Sequence, residues 1–145
     1  MAARIIEIER VTSYLRQDAI EELSYVVEMD PQIVEIPIAL CIDKKGIAIL
    51  MEERISLAAF MKKEASNLSM PDKMQIVRNI AEAMRYLHDE HGVLHGHLTP
   101  HNVLLTSTEE LTICVSDVGL QALIKHSRIL GNYKPNSVWS APEYL

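Results

Sequence analysis

Five of the six histidines fall between positions 88 and 101: His88, His91, His95, His97 and His101. Imidazoles accept protons near neutral pH and bind zinc, copper or nickel, so a metal-binding module is one reading of this stretch. The spacing matches no closed zinc pattern and contains no His-Glu-x-x-His, and neither cysteine lies nearby. His88 and His91 on a helix end could meet at i and i+3. Asn102 and Asp117 are the other candidates for chemistry. Each has an ordinary structural use as well: Asn102 can bond the loop backbone, Asp117 can shape the turn before Gly119, and His95 can serve as a hydrogen-bonded structural histidine. Cys41 and Cys114 stand far apart with no CxxC partner and read as free thiols or small core hydrophobes in a reducing compartment. The five glycines stand at 46, 92, 96, 119 and 131. A phosphate-cradling glycine loop before residue 46 is therefore impossible.

The elements that position these residues follow from periodicity. Ala2 to Val11, with Ile5, Ile6, Ile8 and Val11, predicts a strand. Arg16 to Met29 carries Ile20, Leu23, Val26 and Val27 at helical spacing and predicts an amphipathic helix. Asp30-Pro31 stops it, because the residue before proline is pushed out of helical space. Ile33 to Ile42 and Ile47 to Met51 are β-branched apolar runs around the turn Asp43-Lys44-Lys45-Gly46. Leu57 to Lys63 is a short helix. Ser69 can cap the next helix, with Asp72 at the reciprocal position and Pro71 in the tolerant first turn. Met74, Ile76, Val77, Ile80, Ala81, Ala83, Met84 and Leu87 then form an apolar face wide enough for a buried helix, which Gly92 ends. Short strands at 103–105 and 111–115 flank a polar turn, and the remainder to Leu145 is expected to be loop-rich. Strand, helix, two strands, helices and a late hairpin make an α+β order.

Residues 95–105 read His-Gly-His-Leu-Thr-Pro-His-Asn-Val-Leu-Leu after a long helix ending Tyr86-Leu87-His88. This resembles the catalytic loop of eukaryotic protein kinases, whose pattern is His-Arg-Asp, four residues and Asn. Asp117-Val118-Gly119 resembles the family's Asp-Phe-Gly, and Ala141-Pro142-Glu143 matches its Ala-Pro-Glu. Upstream, Asp30-Pro31-Gln32-Ile33-Val34 resembles the connection after helix C. Ile49-Leu50-Met51-Glu52 resembles the fifth strand entering the hinge, with Met51 as gatekeeper. Ala2-Ala3-Arg4 resembles the third strand, with Arg4 in the lysine's place. Either Glu21 or Glu22 would be the helix-C glutamate. The helix before the catalytic loop is most similar to the tyrosine-kinase-like or plant-receptor-like groups. The implied fold is a partial protein-kinase-like one. Residues 1–54 would be a small β-lobe remnant with helix C and hinge, and residues 55–145 the start of the helical large lobe through the activation segment. The glycine-rich loop and the later large-lobe helices are expected to lie outside the chain. A helix face left bare in this way predicts poor solubility or self-association.

The same resemblance locates departures. His97 stands at the catalytic aspartate position, Thr99 at the loop lysine position, and Gly96 in place of the arginine. Val118 replaces a phenylalanine. Asn102 and Asp117 keep the positions of the magnesium ligands, and Arg4, Met51, Glu52, Asn102 and Asp117 are the implied nucleotide contacts. Phosphoryl transfer depends on positioning and charge, so the expectation is a catalytically impaired pseudokinase with at most weak ATP and Mg²⁺ binding, acting on other proteins such as an active kinase. An active Ser/Thr or Tyr kinase is the alternative. Glu143 is assigned no catalytic part.

Composition limits the remaining classes. Fourteen Lys and Arg against twenty Asp and Glu leave a net charge of −6, which disfavours nucleic acid as a partner. Apolar residues at 48% exclude disorder as the main state. No apolar run is long enough for a membrane span and the N-terminus has no signal-peptide core, so a cytoplasmic location is expected.

Overall fold

The computed structural model describes residues 2–7, 13–43, 46–120 and 138–139. The expected Ala141-Pro142-Glu143 motif, residues 8–11 of the first strand, and Lys44 with Lys45 of the hairpin turn lie outside them. The order is β1 (Ala2–Glu7), α1 (Ser13–Val27), β2 (Ala39–Ile42), β3 (Gly46–Met51), β4 (Ile55–Ser56), α2 (Leu57–Glu64), α3 (Met70–Arg85), a π-helical turn (Tyr86–Glu90), β5 (Val103–Ser107) and β6 (Thr112–Val115). The fold class is α+β, as the element order predicts. Among the described residues, no helix is long and apolar enough to cross a membrane.

The chain divides into two compact units. One contains β1, α1, β2, β3, Gly119 and Leu120. Its sheet has the order β1-β3-β2, all antiparallel, with Arg4 opposite Ile49 and Cys41 opposite Ala48. Leu15, Ala19 and Leu23 recur every four residues along α1 and pack with Ile47, Ile49 and Leu120. Leu40, Ile42 and Met51 lean on the same core. Cys41 is not a core residue, contrary to the small-hydrophobe reading: it is exposed. β2 is an edge strand whose side chains alternate between exposed and half-buried, and Cys41 falls on the outer face. The apolar run that begins at Ile33 becomes a ladder only at Ala39. Pro37 has no N–H to contribute.

The other unit contains residues 29–35 and 53–118. Its sheet has the order β4-β5-β6, antiparallel. Val34 bridges Val115 in parallel, with Glu35 N–H donating to Val115 O (2.9 Å) and Val115 N–H to Ile33 O (2.9 Å). Cys114 and Val115 are fully buried. α3 packs on β6.

α3 starts as its sequence requires. Ser69 Oγ accepts from Asp72 N–H (3.3 Å) while Asp72 Oδ2 accepts from Ser69 N–H (2.9 Å), a reciprocal cap. The Ser69 hydroxyl also donates to Asp72 Oδ2 (2.6 Å), and that bond, followed by the one from Ser69 N–H, holds the Asp72 carboxyl below its usual range. The expected all-apolar face is only half used. Ile76, Ala83 and Leu87 are buried, whereas Met74 is 60% exposed and Val77 58%. β6 packs along one stripe of the helix, and Met70, Met74 and Val77, off that stripe, stay more than half exposed. Gly92 ends the helical run at φ +64°, a conformation that costs glycine little.

Candidate functional site

The loop from His95 to Asn102 and the segment Ser116-Asp117 are tied together by short polar contacts. Ser116 N–H donates to Asn102 O (2.8 Å), which extends the β5–β6 pairing past its end. Asn102 N–H donates to Thr99 O (2.9 Å), and Asn102 Nδ2 donates to His97 O (2.9 Å). A carbonyl can only accept, so the ring nitrogen facing one must carry hydrogen. By that rule His95 Nε2 donates to Ser116 O (2.9 Å), and His97 Nδ1 donates to His95 O (3.2 Å). The two imidazoles lie with ring centroids 4.8 Å apart. His97 Nε2 then stands 3.6 Å from Asp117 Oδ2, with the two side chains 11% and 0% exposed.

Asp117 has φ +64°. Aspartate tolerates this region better than most residues, but the conformation is sparsely populated and persists only where the surroundings impose it. Val118 and Leu120 are buried just beyond it, and Asn102 and Ser116 are buried beside it. A fully buried carboxyl next to a locked asparagine amide is an oxygen donor set of the kind hard divalent cations use. Asn102 commits its Nδ2 to the His97 carbonyl, and its amide oxygen is the atom with which it would hold an ion. The residues present fit a magnesium-type ion at Asp117 and Asn102. Such an ion would bind phosphate oxygens and neutralise their charge.

Burial pushes the His95 imidazole below its ordinary range. His97 adds to this, while the bond to Ser116 and the Asp117 carboxyl oppose it. An unfolded chain with ordinary histidines takes up this proton first, near pH 6.5. The fold therefore holds its full stability above about pH 6.5 and loses stability as the pH falls below it. Urea midpoints between pH 7.5 and 5.5 are expected to fall for the native chain and to fall less for His95→Gln. Equal slopes in the two proteins would contradict this.

The sequence-derived candidates distribute as follows. His97, Asn102 and Asp117 come together in one unit, with His95 as the structural histidine behind them. Thr99, at the lysine position, serves the loop backbone: His101 N–H donates to its Oγ1 (3.2 Å) and Asn102 N–H to its carbonyl. In the other unit, Arg4 lies on β1 and Met51 ends β3, so the two occupy neighbouring strands; Met51 is half-buried and Glu52 exposed. Of the two helix-C candidates, Glu21 is exposed and accepts from Gln17 (2.8 Å), whereas Glu22 is half-buried. The histidine-cluster module gains no support. Among the described residues no three His, Cys, Asp or Glu side chains are grouped to hold a metal. His88 is exposed, and His91 packs edge-on against Tyr86. Sequence reading missed Ser116, whose carbonyl and N–H both hold the site. Its only signal was adjacency to Asp117. It also missed Tyr86 Oη, which accepts from Asp30 N–H (2.9 Å).

Residues 5–145 match the family model described as protein tyrosine and serine/threonine kinase. Pollen receptor-like kinase 1 of Arabidopsis thaliana is 35% identical over 71% of this chain and 16% of its own length. The probable leucine-rich repeat receptor-like protein kinase IMK3 of the same plant is 36% identical over 49% of this chain and 9% of its own. The dual specificity mitogen-activated protein kinase kinase mek-2 of Caenorhabditis elegans is 26% identical, spanning 100% of this chain and 37% of the relative. The chain thus spans well under half the length of each. The crystal structure of Rad53 1-466 in complex with AMP-PNP superposes with a TM-score of 0.64 at 19% identity, covering 81% of this chain and 30% of the other, which supports the fold. With the family model spanning nearly every residue, the chain belongs to the protein tyrosine and serine/threonine kinase family and carries part of its fold.

Proposed function

We propose that this is a catalytically impaired kinase-like domain, a pseudokinase, that keeps a weak pocket for nucleotide and a divalent ion and acts by binding other proteins. One observation carries the reading: an imidazole, His97, occupies the catalytic aspartate position and faces Asp117 at 3.6 Å. The transfer step asks for an anionic oxygen to orient the incoming hydroxyl. His97 has no such oxygen, and its Nδ1 is already engaged with the His95 carbonyl. Thr99 adds a second loss, because its hydroxyl serves a loop turn and brings no charge to a transferring phosphate. Asn102 and Asp117 remain, buried and positioned, as the ion-holding pair. Arg4, Met51 and Glu52 keep the nucleotide roles that the resemblance assigns them.

Binding then replaces turnover as the output. Partners of this kind include an active kinase regulated by contact, and the setting is cytoplasmic. The second reading, an active Ser/Thr or Tyr kinase in a longer polypeptide, draws on the intact Asn102 and Asp117.

A thermal-shift titration with ATP, with and without Mg²⁺, tests the retained pocket. At a hundred times its dissociation constant a ligand stabilises the fold by about 2.7 kcal/mol. A nucleotide-dependent rise in Tm is expected. A flat response at millimolar ATP would reduce the domain to an interaction module without a nucleotide site.

A further inference from the structure

Among the described residues β2 is an outer strand of its sheet, paired with β3 on one side. The phase of that ladder is fixed. Asp43 N–H donates to Gly46 O (3.0 Å) beside the turn, and the partners then run Ile42 with Ile47, Cys41 with Ala48, Leu40 with Ile49 and Ala39 with Leu50. Bonded and non-bonded positions alternate along an antiparallel pair. Asp43, Cys41 and Ala39 therefore turn their peptide groups toward β3, and Ile42 and Leu40 turn theirs outward. Ile38 N–H donates to Leu50 O (2.8 Å) where the ladder ends, and Pro37 has no N–H. The outer side thus presents two donor–acceptor positions, two residues apart, with Cys41 between them.

Natural sheets guard such an edge with charge, proline or a bulge. β1, the other outer strand of this sheet, carries Arg4 and Glu7. The run Ile36-Pro37-Ile38-Ala39-Leu40-Cys41-Ile42 carries no charged residue, and its proline lies before the strand. Ile38 is 58% exposed, and Ala39 and Cys41 are exposed as well. Apolar, β-branched and uncharged, the edge has the character of a strand that accepts another strand.

We propose that β2 pairs antiparallel with β2 of a second copy of this chain, across a twofold axis at Cys41. Leu40 of each copy exchanges both of its backbone bonds with Ile42 of the other, so every outward peptide group of the strand is satisfied. The occupant is a second copy because the pattern is its own complement: two open positions symmetric about one residue meet their equivalents when the strand is turned end for end. Charge agrees with this register. Ala39 opposes Asp43 of the other copy, so no like charges face each other. The two Cys41 side chains meet at a non-bonded position, where Cα atoms lie about 4.5 Å apart. A pairing this short buries little surface, so the association is weak and depends on concentration. The inference is independent of the kinase-like site.

The intact natural polypeptide is treated with a short bis-maleimide, each arm of which adds to one thiol. A covalent dimer joined Cys41 to Cys41 is expected on peptide mass spectrometry, in a yield that rises with protein concentration. Amide hydrogen exchange of the unmodified protein gives a readout that needs no variant: the Leu40 and Ile42 amides are expected to slow at least about tenfold from dilute to concentrated protein, and the Cys41 amide, held by the β3 ladder, to change less. Cys41→Lys places like charges across the axis and is expected to abolish concentration-dependent sedimentation, whereas Cys41→Ser keeps it. A monomer at every concentration, a dimer linked elsewhere than at Cys41, or exchange at Leu40 and Ile42 that ignores concentration would each overturn the proposal. So would association that survives Cys41→Lys, which is the result that contact through the exposed face of α3 would give.

Discussion

Replacing His97 by aspartate and Thr99 by lysine together is expected to raise phosphoryl transfer by the natural polypeptide about 10²–10⁴-fold, the range that a positioned acid–base group contributes. The aspartate supplies the oxygen that orients a hydroxyl, and the lysine supplies charge at the phosphate. The loop can accept both changes. The His97 carbonyl accepts from Asn102 Nδ2 whatever the side chain at that position, so this tie of the loop survives the change. Thr99 loses one bond, that from His101 N–H, at a cost of about 1 kcal/mol. The aspartate is shorter than the imidazole and brings a second carboxyl near Asp117, so the gain depends on a divalent ion being present. His97→Asp alone is expected to recover only part of the rate. Initial rates of labelled-phosphate transfer to a mixed peptide substrate measure this. A double variant that binds nucleotide and stays at background would show that the lesion lies elsewhere.

Gly119→Ala is expected to destabilise the unit that contains α1 by about 2–5 kcal/mol. Left-handed backbone costs an alanine roughly 1–2 kcal/mol, and Gly119 sits at φ +74°. A methyl group there would meet Val26 Cγ2 at 2.7 Å and the Glu22 carbonyl at 3.2 Å. Val26 is buried and Glu22 O is backbone, so α1 itself must move, and overpacking of this sort costs about 1–3 kcal/mol. The urea midpoint of the variant should drop accordingly, with a further effect on any ligand that needs Asp117 in place. Native-like stability in Gly119→Ala would mean that this close approach is not made in solution.

Local signals were legible in the sequence, and relationships across the chain were not. The Ser69–Asp72 cap could be read because its chemistry lies within four residues. Gly92 as a terminator and the hairpin before β3 were readable for the same reason. α1 was predicted over Arg16 to Met29, and its described residues run Ser13–Val27, because periodicity places the apolar face of a helix better than its ends. The two-residue strand β4 is invisible to periodicity, since pairing with Leu104 and Leu105 defines it. Nor does any spacing rule foretell the π-helical turn at Tyr86–Glu90. The apolar face of α3 was predicted whole, and half of it is exposed, because a pattern of side chains records what a helix can bury and says nothing of what lies opposite. At the site, the motif spacing brought His97, Asn102 and Asp117 into view together. Ser116 escaped because its part is played by backbone groups, and the His97 tautomer because it depends on a carbonyl two residues away.

The most direct test of the central claim is transfer of labelled phosphate from ATP by the intact natural polypeptide, with Mg²⁺ and with Mn²⁺. Loss of the carboxylate at position 97 implies incorporation no higher than a boiled control with either ion. Turnover in the ordinary kinase range of about 1–100 s⁻¹, abolished by Asp117→Ala, would contradict it and establish the chain as part of a working enzyme.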